Sequence, residues 1–152
     1  EVYESYKHRI FKMAYRFSPD PFFADDVLQE TMYRIYRGVG KLKGFSTIST
    51  WIYRIAYNAC LDLLRKNKSS RYVNIEDARM ISDEGKDHIE SARLHRVLDS
   101  LKKKERDILI FFYIDDLSIK ELAEILKISE SNAKVLLYRA RKKAAEAADE
   151  MY

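Results

Sequence analysis

The sequence predicts an all-α protein of two small helical domains joined by a flexible linker. Three observations carry this. First, the 152 residues are 47% hydrophobic but hold only four glycines and two prolines, enough apolar mass for real cores and too few turn formers for a sandwich or barrel. Second, apolar residues recur at helical rather than alternating spacing from residue 2 to residue 66, and again from about residue 88. Third, the stretch between them, Lys68 to about Ile89, is rich in Ser, Asp, Glu and Lys and has no sustained period. Such a chain cannot bury enough surface to order itself. The expected division is 1–68, a linker 69–88, and 89–152.

In the first domain, Tyr6, Ile10, Phe11, Ala14 and Phe17 mark a short amphipathic helix over residues 2–17. Ser18-Pro19-Asp20-Pro21 ends it, because each proline removes a backbone donor and restrains the residue before it. A second helix is expected from Pro21 to Arg37, with Val27, Leu28, Thr31, Met32 and Ile35 inward. Asp26, Gln29, Glu30, Tyr33 and Arg37 share its other side. Taken alone, that side is an ordinary polar face with acids near a helix start. A loop with three of the four glycines follows, Gly38 to Thr47, where tight turns and close backbone approach are possible.

The third helix, Thr50 to Lys66, separates into two faces. Ile52, Ile55, Ala56, Ala59 and Leu63 lie on one; Arg54, Tyr57, Asn58, Asp62 and Arg65 lie on the other. Aromatic rings stack on unpaired bases, amides read base edges, and Arg and Lys hold phosphates. An amphipathic core helix with a solvated basic end fits the same period equally well.

In the second domain, Ala92, Leu94, Val97, Leu98 and Leu101 form one apolar stripe. Arg106 to Ile114 is apolar nearly all round and is expected at the centre of a bundle. Asp115-Asp116-Leu117 is a turn. Ser118 and Glu121 have the spacing of a capping box, opening a helix that stops near Lys127-Ile128; Ser129 caps the next, Glu130 to about Ala147. Two capped helices on a short turn, the first with Ala123 at its centre, suggest helix-turn-helix, although plain helical hairpins share the spacing. The last helix offers Ser131, Asn132, Lys134, Val135, Tyr138, Arg139, Arg141 and Lys142.

The net charge is only +4, but it is unevenly placed. Residues 41–71 hold seven Lys or Arg against one Asp, and residues 72–99 hold four against seven acids. A local basic excess is a nucleic-acid footprint. The one cysteine, Cys60, reads as a small buried hydrophobe, consistent with a reducing cytoplasm. No signal peptide is visible, and the longest apolar run, Ile108 to Ile114, is far too short for a membrane span. The chain opens on Glu1 rather than Met, leaving room for upstream residues. His8, His88 and His95 make no ligand spacing with Cys60 or each other, and there is no Walker loop, nucleophile elbow or zinc cluster. No cofactor, metal or small-molecule substrate is expected, and no catalysis.

Three stretches resemble one family. Trp51-Ile-Tyr-Arg-Ile-Ala-x-Asn58-x-x-x-Asp62-x-Leu-Arg65 resembles the "TWLYRIARNxxxDxLR" signature of the extracytoplasmic-function (group IV) sigma factors of the sigma-70 family, where the helix belongs to promoter-opening region 2. Asp26-Val-Leu-Gln29-Glu30-Thr is similar to the family's "EDLVQETF" motif, which grips a coiled coil of core RNA polymerase. "SNAKVLLYRARKK" resembles "GTVKSRLHRARK", the recognition helix of region 4. Leu136 departs from a position that is often basic, and Ser131-Asn132 replaces Gly-Thr.

The resemblance implies a cytoplasmic sigma factor with bacterial RNA polymerase core and promoter DNA as partners, and an anti-sigma factor that is often membrane-anchored. It implies core contacts at Asp26, Gln29, Glu30 and Tyr33. Contacts with the −10 element fall at Phe45, in a loop that receives a flipped base, and at Arg54, Tyr57, Asn58, Asp62 and Arg65. Contacts with the −35 element fall at Ser131, Asn132, Lys134, Val135, Tyr138, Arg139 and Arg141. The rivals are a helix-turn-helix regulator that never touches polymerase core and a protein-binding adaptor. A nuclease, lacking paired metal-binding carboxylates, comes last.

Overall fold

A computed structural model describes residues 1–38, 40, 47–67 and 88–150, without the side chains of 88–91. Among the described residues there are seven helices and no strand, so the all-α expectation holds. The chain forms two compact units, Glu1–Asp83 and Glu84–Tyr152. The expected linker, 69–88, lies outside the described residues except for its last residue, as does the loop residue Phe45.

The first unit contains α1 (Val2–Phe17), α2 (Pro21–Gly38) and α3 (Ile48–Lys66), each packed on the other two. Ser18 is extended and ends α1. Pro21 stands at the first position of α2, where its missing N–H costs nothing. Just ahead of it Asp20 Oδ1 accepts the Phe22 N–H at 2.9 Å, a cap the sequence left unremarked. Thr47 caps α3 by accepting the Thr50 N–H at 3.1 Å.

The core of this unit is built from Ile10, Met13 and Ala14 of α1, Phe23, Ala24, Val27, Leu28, Thr31 and Ile35 of α2, and a broad face of α3. Buried Thr31 donates its hydroxyl to the Val27 carbonyl at 2.6 Å, so the polar group is satisfied inside its own helix. Gly38 ends α2 against the indole of Trp51, where an added Cβ would sit 3.2 Å from Cζ2.

The second unit contains α4 (His88–Asp99), α5 (Lys103–Tyr113), α6 (Ile119–Leu126) and α7 (Glu130–Asp149). Ile108, Leu109, Phe111, Leu117, Leu122, Ala123, Ile125, Ala133, Leu137 and Ala140 form its core. Two expectations are corrected. Leu94 of the α4 stripe is exposed, and α5 is not buried all round: Tyr113 and Ile114 are more than half exposed at its C-terminal end. The helix stops there, and Asp116, in the left-handed region at φ 52°, turns the chain toward α6.

The buried acid Glu105 has a structural use. Its Oε2 accepts the Lys102 N–H at 3.1 Å to cap α5, and its Oε1 pairs with Lys143 Nζ of α7. The hydrogen bond from Lys143 outweighs the cost of burial and, with the Lys102 amide, holds the carboxyl below its ordinary value of 4.5.

Candidate polymerase and nucleic-acid interfaces

On α2 the buried stripe leaves Asp26, Gln29 and Tyr33 exposed and Glu30 half-buried, as expected of a face open to a partner. The exposed strip is longer than the sequence motif. Phe22 and Tyr36, 79% and 83% exposed, extend it at both ends with alternating steps of four and three residues. That is the spacing of one helical seam. It was present in the sequence, hidden because aromatic residues at helical spacing are usually core. Arg37 lies over the Tyr33 ring and donates to its hydroxyl at 3.2 Å.

On α3 one expected site residue is moved. Tyr57 is only 5% exposed, and its ring meets Phe17 of α1 at 5.9 Å. It cannot be the exposed stacking surface expected of it. The buried face is centred on Ile52, Ala56, Cys60 and Leu64 and takes in Tyr53 and Tyr57, while Ile55 and Leu63 are only half-buried. Tyr53 is covered from α1, where the Arg9 guanidinium lies 5.4 Å from its ring centre. A narrower polar arc remains, with Arg54, Asn58 and Asp62 half-buried and Arg65 exposed.

Asp62 is tied down. Arg34 of α2 donates from Nη2 to Asp62 Oδ2 at 2.9 Å and from Nε to Glu30 Oε1 at 2.9 Å. Arg34 is the residue that sequence reading missed. Its pairing with Glu30 was legible as an i, i+4 ion pair; its hold on Asp62 required knowing how α2 packs on α3.

On α7 the expectation holds throughout for exposure. Ser131, Asn132, Lys134, Val135, Tyr138, Arg139, Arg141 and Lys142 are all exposed, while Ala133, Leu137 and Ala140 anchor the helix. At 100° per residue, Ser131, Val135, Tyr138 and Lys142 stand opposite the anchor, with Lys134 on one flank and Arg139 on the other. Arg141 is also engaged within its own unit, where it donates to the Tyr113 hydroxyl and lies over the rings of Phe112 and Tyr113. Both predicted caps are present, Ser118 accepting the Glu121 N–H and Ser129 the Asn132 N–H, each at 3.1 Å. Lys127, left-handed at φ 58°, makes the turn between α6 and α7.

A short helix joined by a tight turn to a longer one that exposes Lys134, Arg139 and Lys142 is a helix-turn-helix. The family comparison agrees. Residues 2–70 match the family model of Sigma-70 region 2, and residues 91–143 match that of Sigma-70, region 4. The RNA polymerase sigma factor SigV of Bacillus subtilis is 30% identical, over 90% of this chain and 82% of its own length. The chain belongs to the sigma-70 family.

The ECF RNA polymerase sigma factor SigW of Bacillus subtilis is also 30% identical, over 93% of this chain and 83% of its own length. The ECF factor SigM of Mycobacterium tuberculosis is 31% identical, over 91% and 69%. The fold resembles that of the sigma factor RpoE, in its complex with the anti-sigma factor NepR from Bartonella quintana, at TM-score 0.70 and 17% identity, covering 97% of this chain and 94% of that one. It also resembles CnrH, in complex with the cytosolic domain of CnrY, at TM-score 0.70 and 22% identity, covering 98% and 86%.

The family makes this chain a sigma factor that acts with RNA polymerase in promoter-directed initiation. It sets aside the regulator that never touches polymerase. A sigma factor is not an enzyme; the polymerase performs the chemistry. No helix among the described residues is long and apolar enough to cross a membrane.

Proposed function

We propose that the three polar surfaces divide the work of initiation. Residues 1–68 act as region 2, 69–88 as a connecting linker, and 89–152 as region 4. The α2 strip of Asp26, Gln29, Glu30 and Tyr33, lengthened by Phe22 and Tyr36, binds the polymerase core. The α3 arc of Arg54, Asn58 and Arg65, with Phe45 of the preceding loop, takes the opened −10 strand. The α7 face, from Ser131 to Lys142, reads the −35 duplex.

The observation that carries this reading is α7. Ala133, Leu137 and Ala140, with the Lys143–Glu105 pair, fix it to its unit, and the side opposite them, from Ser131 through Val135 and Tyr138 to Lys142, is exposed and able to enter a major groove. Lys134 and Arg139, on opposite flanks, are placed for the phosphates on either side. On α3, strand opening needs a favourable place for an unpaired base. Stacking supplies about 1–3 kcal/mol per base, which the buried Tyr57 cannot provide. Asn58 therefore reads an edge, and the stacking surface falls to Phe45 or to the polymerase.

The protein works in the cytoplasm, where polymerase and promoters are, and an anti-sigma factor restrains it. The anti-sigma partners named with the structurally similar RpoE and CnrH support that part, and the cytosolic domain named for CnrY fits a membrane-anchored one.

Run-off transcription with bacterial core polymerase on a promoter panel tests the function. Defined transcripts that require this chain are expected from a subset of promoters. None from any promoter would overturn the reading.

A further inference from the structure

The strip that α3 turns toward DNA contains a carboxylate. Asp62 lies one turn beyond Asn58 and one turn before Arg65, where a bare negative charge would repel a phosphate strand. It is not bare. Both of its oxygens face guanidinium groups: Oδ2 accepts from Arg34 at 2.9 Å, and Oδ1 lies 3.9 Å from Arg65 Nη1. Arg34 is itself anchored on α2 through Glu30 at 2.9 Å. Two edges of one planar fork thus serve carboxylates on two helices, a geometry that a lysine, as a point charge, does not reproduce. Burial works against the charge on Arg34, but the hydrogen bonds to Glu30 and Asp62 outweigh it. The Arg65 side chain is 69% exposed and reaches outward from this chain of charges.

We propose that Arg34 and Asp62 are positioning residues for strand opening: Arg34 fixes Asp62 across the helix pair, and Asp62 orients Arg65 toward the DNA backbone without touching DNA itself. A long exposed arginine loses rotamer freedom when it grips a phosphate. Restricting it beforehand moves that loss into folding and raises its contribution to the opened complex. The idea rests on the reading of α3 as the strand-facing helix.

It makes a prediction of opposite sign to simple electrostatics. Removing a negative charge from a DNA-facing strip ordinarily tightens binding. Here Asp62→Asn weakens it, because Arg65 loses its guide.

The test is a double-mutant cycle in the reconstituted holoenzyme, on a promoter recovered from the run-off panel, reading the lifetime of the open complex after competitor challenge. In the native background Arg65→Ala shortens the lifetime about fivefold. In the Asp62→Asn and Arg34→Met backgrounds the same change has less than about a twofold effect, the signature of residues acting as one unit. Arg34→Lys, which keeps the charge and loses the fork, behaves like Arg34→Met. A bridge that only holds α2 on α3 would lower the melting temperature and leave the Arg65→Ala effect at full size. Where Arg34→Met melts too low to assay, Asp62→Asn alone closes the cycle. Additive effects, or a longer lifetime in Asp62→Asn, overturn the proposal while the functional reading stands. Absence of any promoter on the panel overturns the functional reading first.

Discussion

Helices α3 and α7 are near-equal in length, at 19 and 20 residues, and each is assigned a nucleic-acid surface, yet they are built in opposite ways. Helix α7 buries three residues, Ala133, Leu137 and Ala140, and exposes the side opposite them. Helix α3 buries nine, including Trp51, Tyr53 and Tyr57, and shows only a narrow polar arc. The difference follows from what each is proposed to meet. A helix that enters a major groove must protrude. A helix that receives a single strand can stay embedded, provided its few outward side chains are held in place. Helix α3 is held by its core face and the Thr47 cap, and the helix pair α6–α7 by its two serine caps and the anchor stripe.

The largest effect is expected at the proposed polymerase face, which belongs to neither helix. Asp26→Lys with Gln29→Lys places two cations on the exposed α2 strip and should reduce core binding by tenfold or more, since like or mismatched charge at an interface costs several kcal/mol. Helicity and melting should be unchanged, and pull-down with core polymerase reads the result. Glu30→Lys is a poorer probe, because it also removes an anchor of Arg34.

The next effect separates the two helices directly. Tyr57→Ala should destabilise the first unit by about 3–5 kcal/mol, as for other large aromatic truncations in a core. Tyr138→Ala, at a position 66% exposed on α7, should stay within about 0.5 kcal/mol. Denaturant unfolding measures both, and equal costs would remove the distinction between embedded and protruding helices.

Acid sensitivity comes next. The folded Glu105 carboxyl titrates below the ordinary 4.5. Its contribution is therefore complete above the unfolded value and fades as pH falls through the lower folded value. Lys143→Met leaves the buried carboxylate with the Lys102 amide but without its half-exposed cation and should cost the second unit about 1–2 kcal/mol at neutral pH, with a smaller deficit at the acid end where the native pair is also lost. Thermal melts of the chain across acidic pH check both signs. A smaller gain is expected at Lys127, where glycine fits the left-handed turn: Lys127→Gly should stabilise the second unit by roughly 1 kcal/mol.

The fold and the site were legible in the sequence to different depths. Helices α1 to α3, the α6 and α7 caps and the α7 face were readable because each depends on local spacing: serine three residues before the amide it caps, proline at a boundary, alanine and leucine at helical steps. Tyr57 was misplaced because a tyrosine is amphipathic. On a helical wheel its hydroxyl sorts it with Arg54 and Asn58, while its ring buries more area than Ile55 or Leu63 and wins the core position against Phe17. The same ambiguity hid Phe22 and Tyr36, which look like core and are among the most exposed side chains. Arg34–Asp62 joins residues 28 apart on two helices, and no local period encodes it. The expected burial of all of α5 failed because the helix ends in Tyr113 and Ile114, where the turn at Asp116 leaves them at the edge of the unit.

The most direct test of the division of labour compares Asn58→Ala with Arg139→Ala on two templates, one fully duplex and one with a pre-opened −10 bubble. Transcript yield with core polymerase is the readout. Asn58→Ala should lose yield on the duplex and recover most of it on the opened template, since its proposed task is capture of the opening strand, with a remaining loss confined to the one base position whose edge it reads. Arg139→Ala should lose yield on both, because the −35 duplex is the same in each. Equal recovery of the two variants on the opened template, or no loss in either on the duplex, would contradict the assignment of opening to α3 and duplex reading to α7.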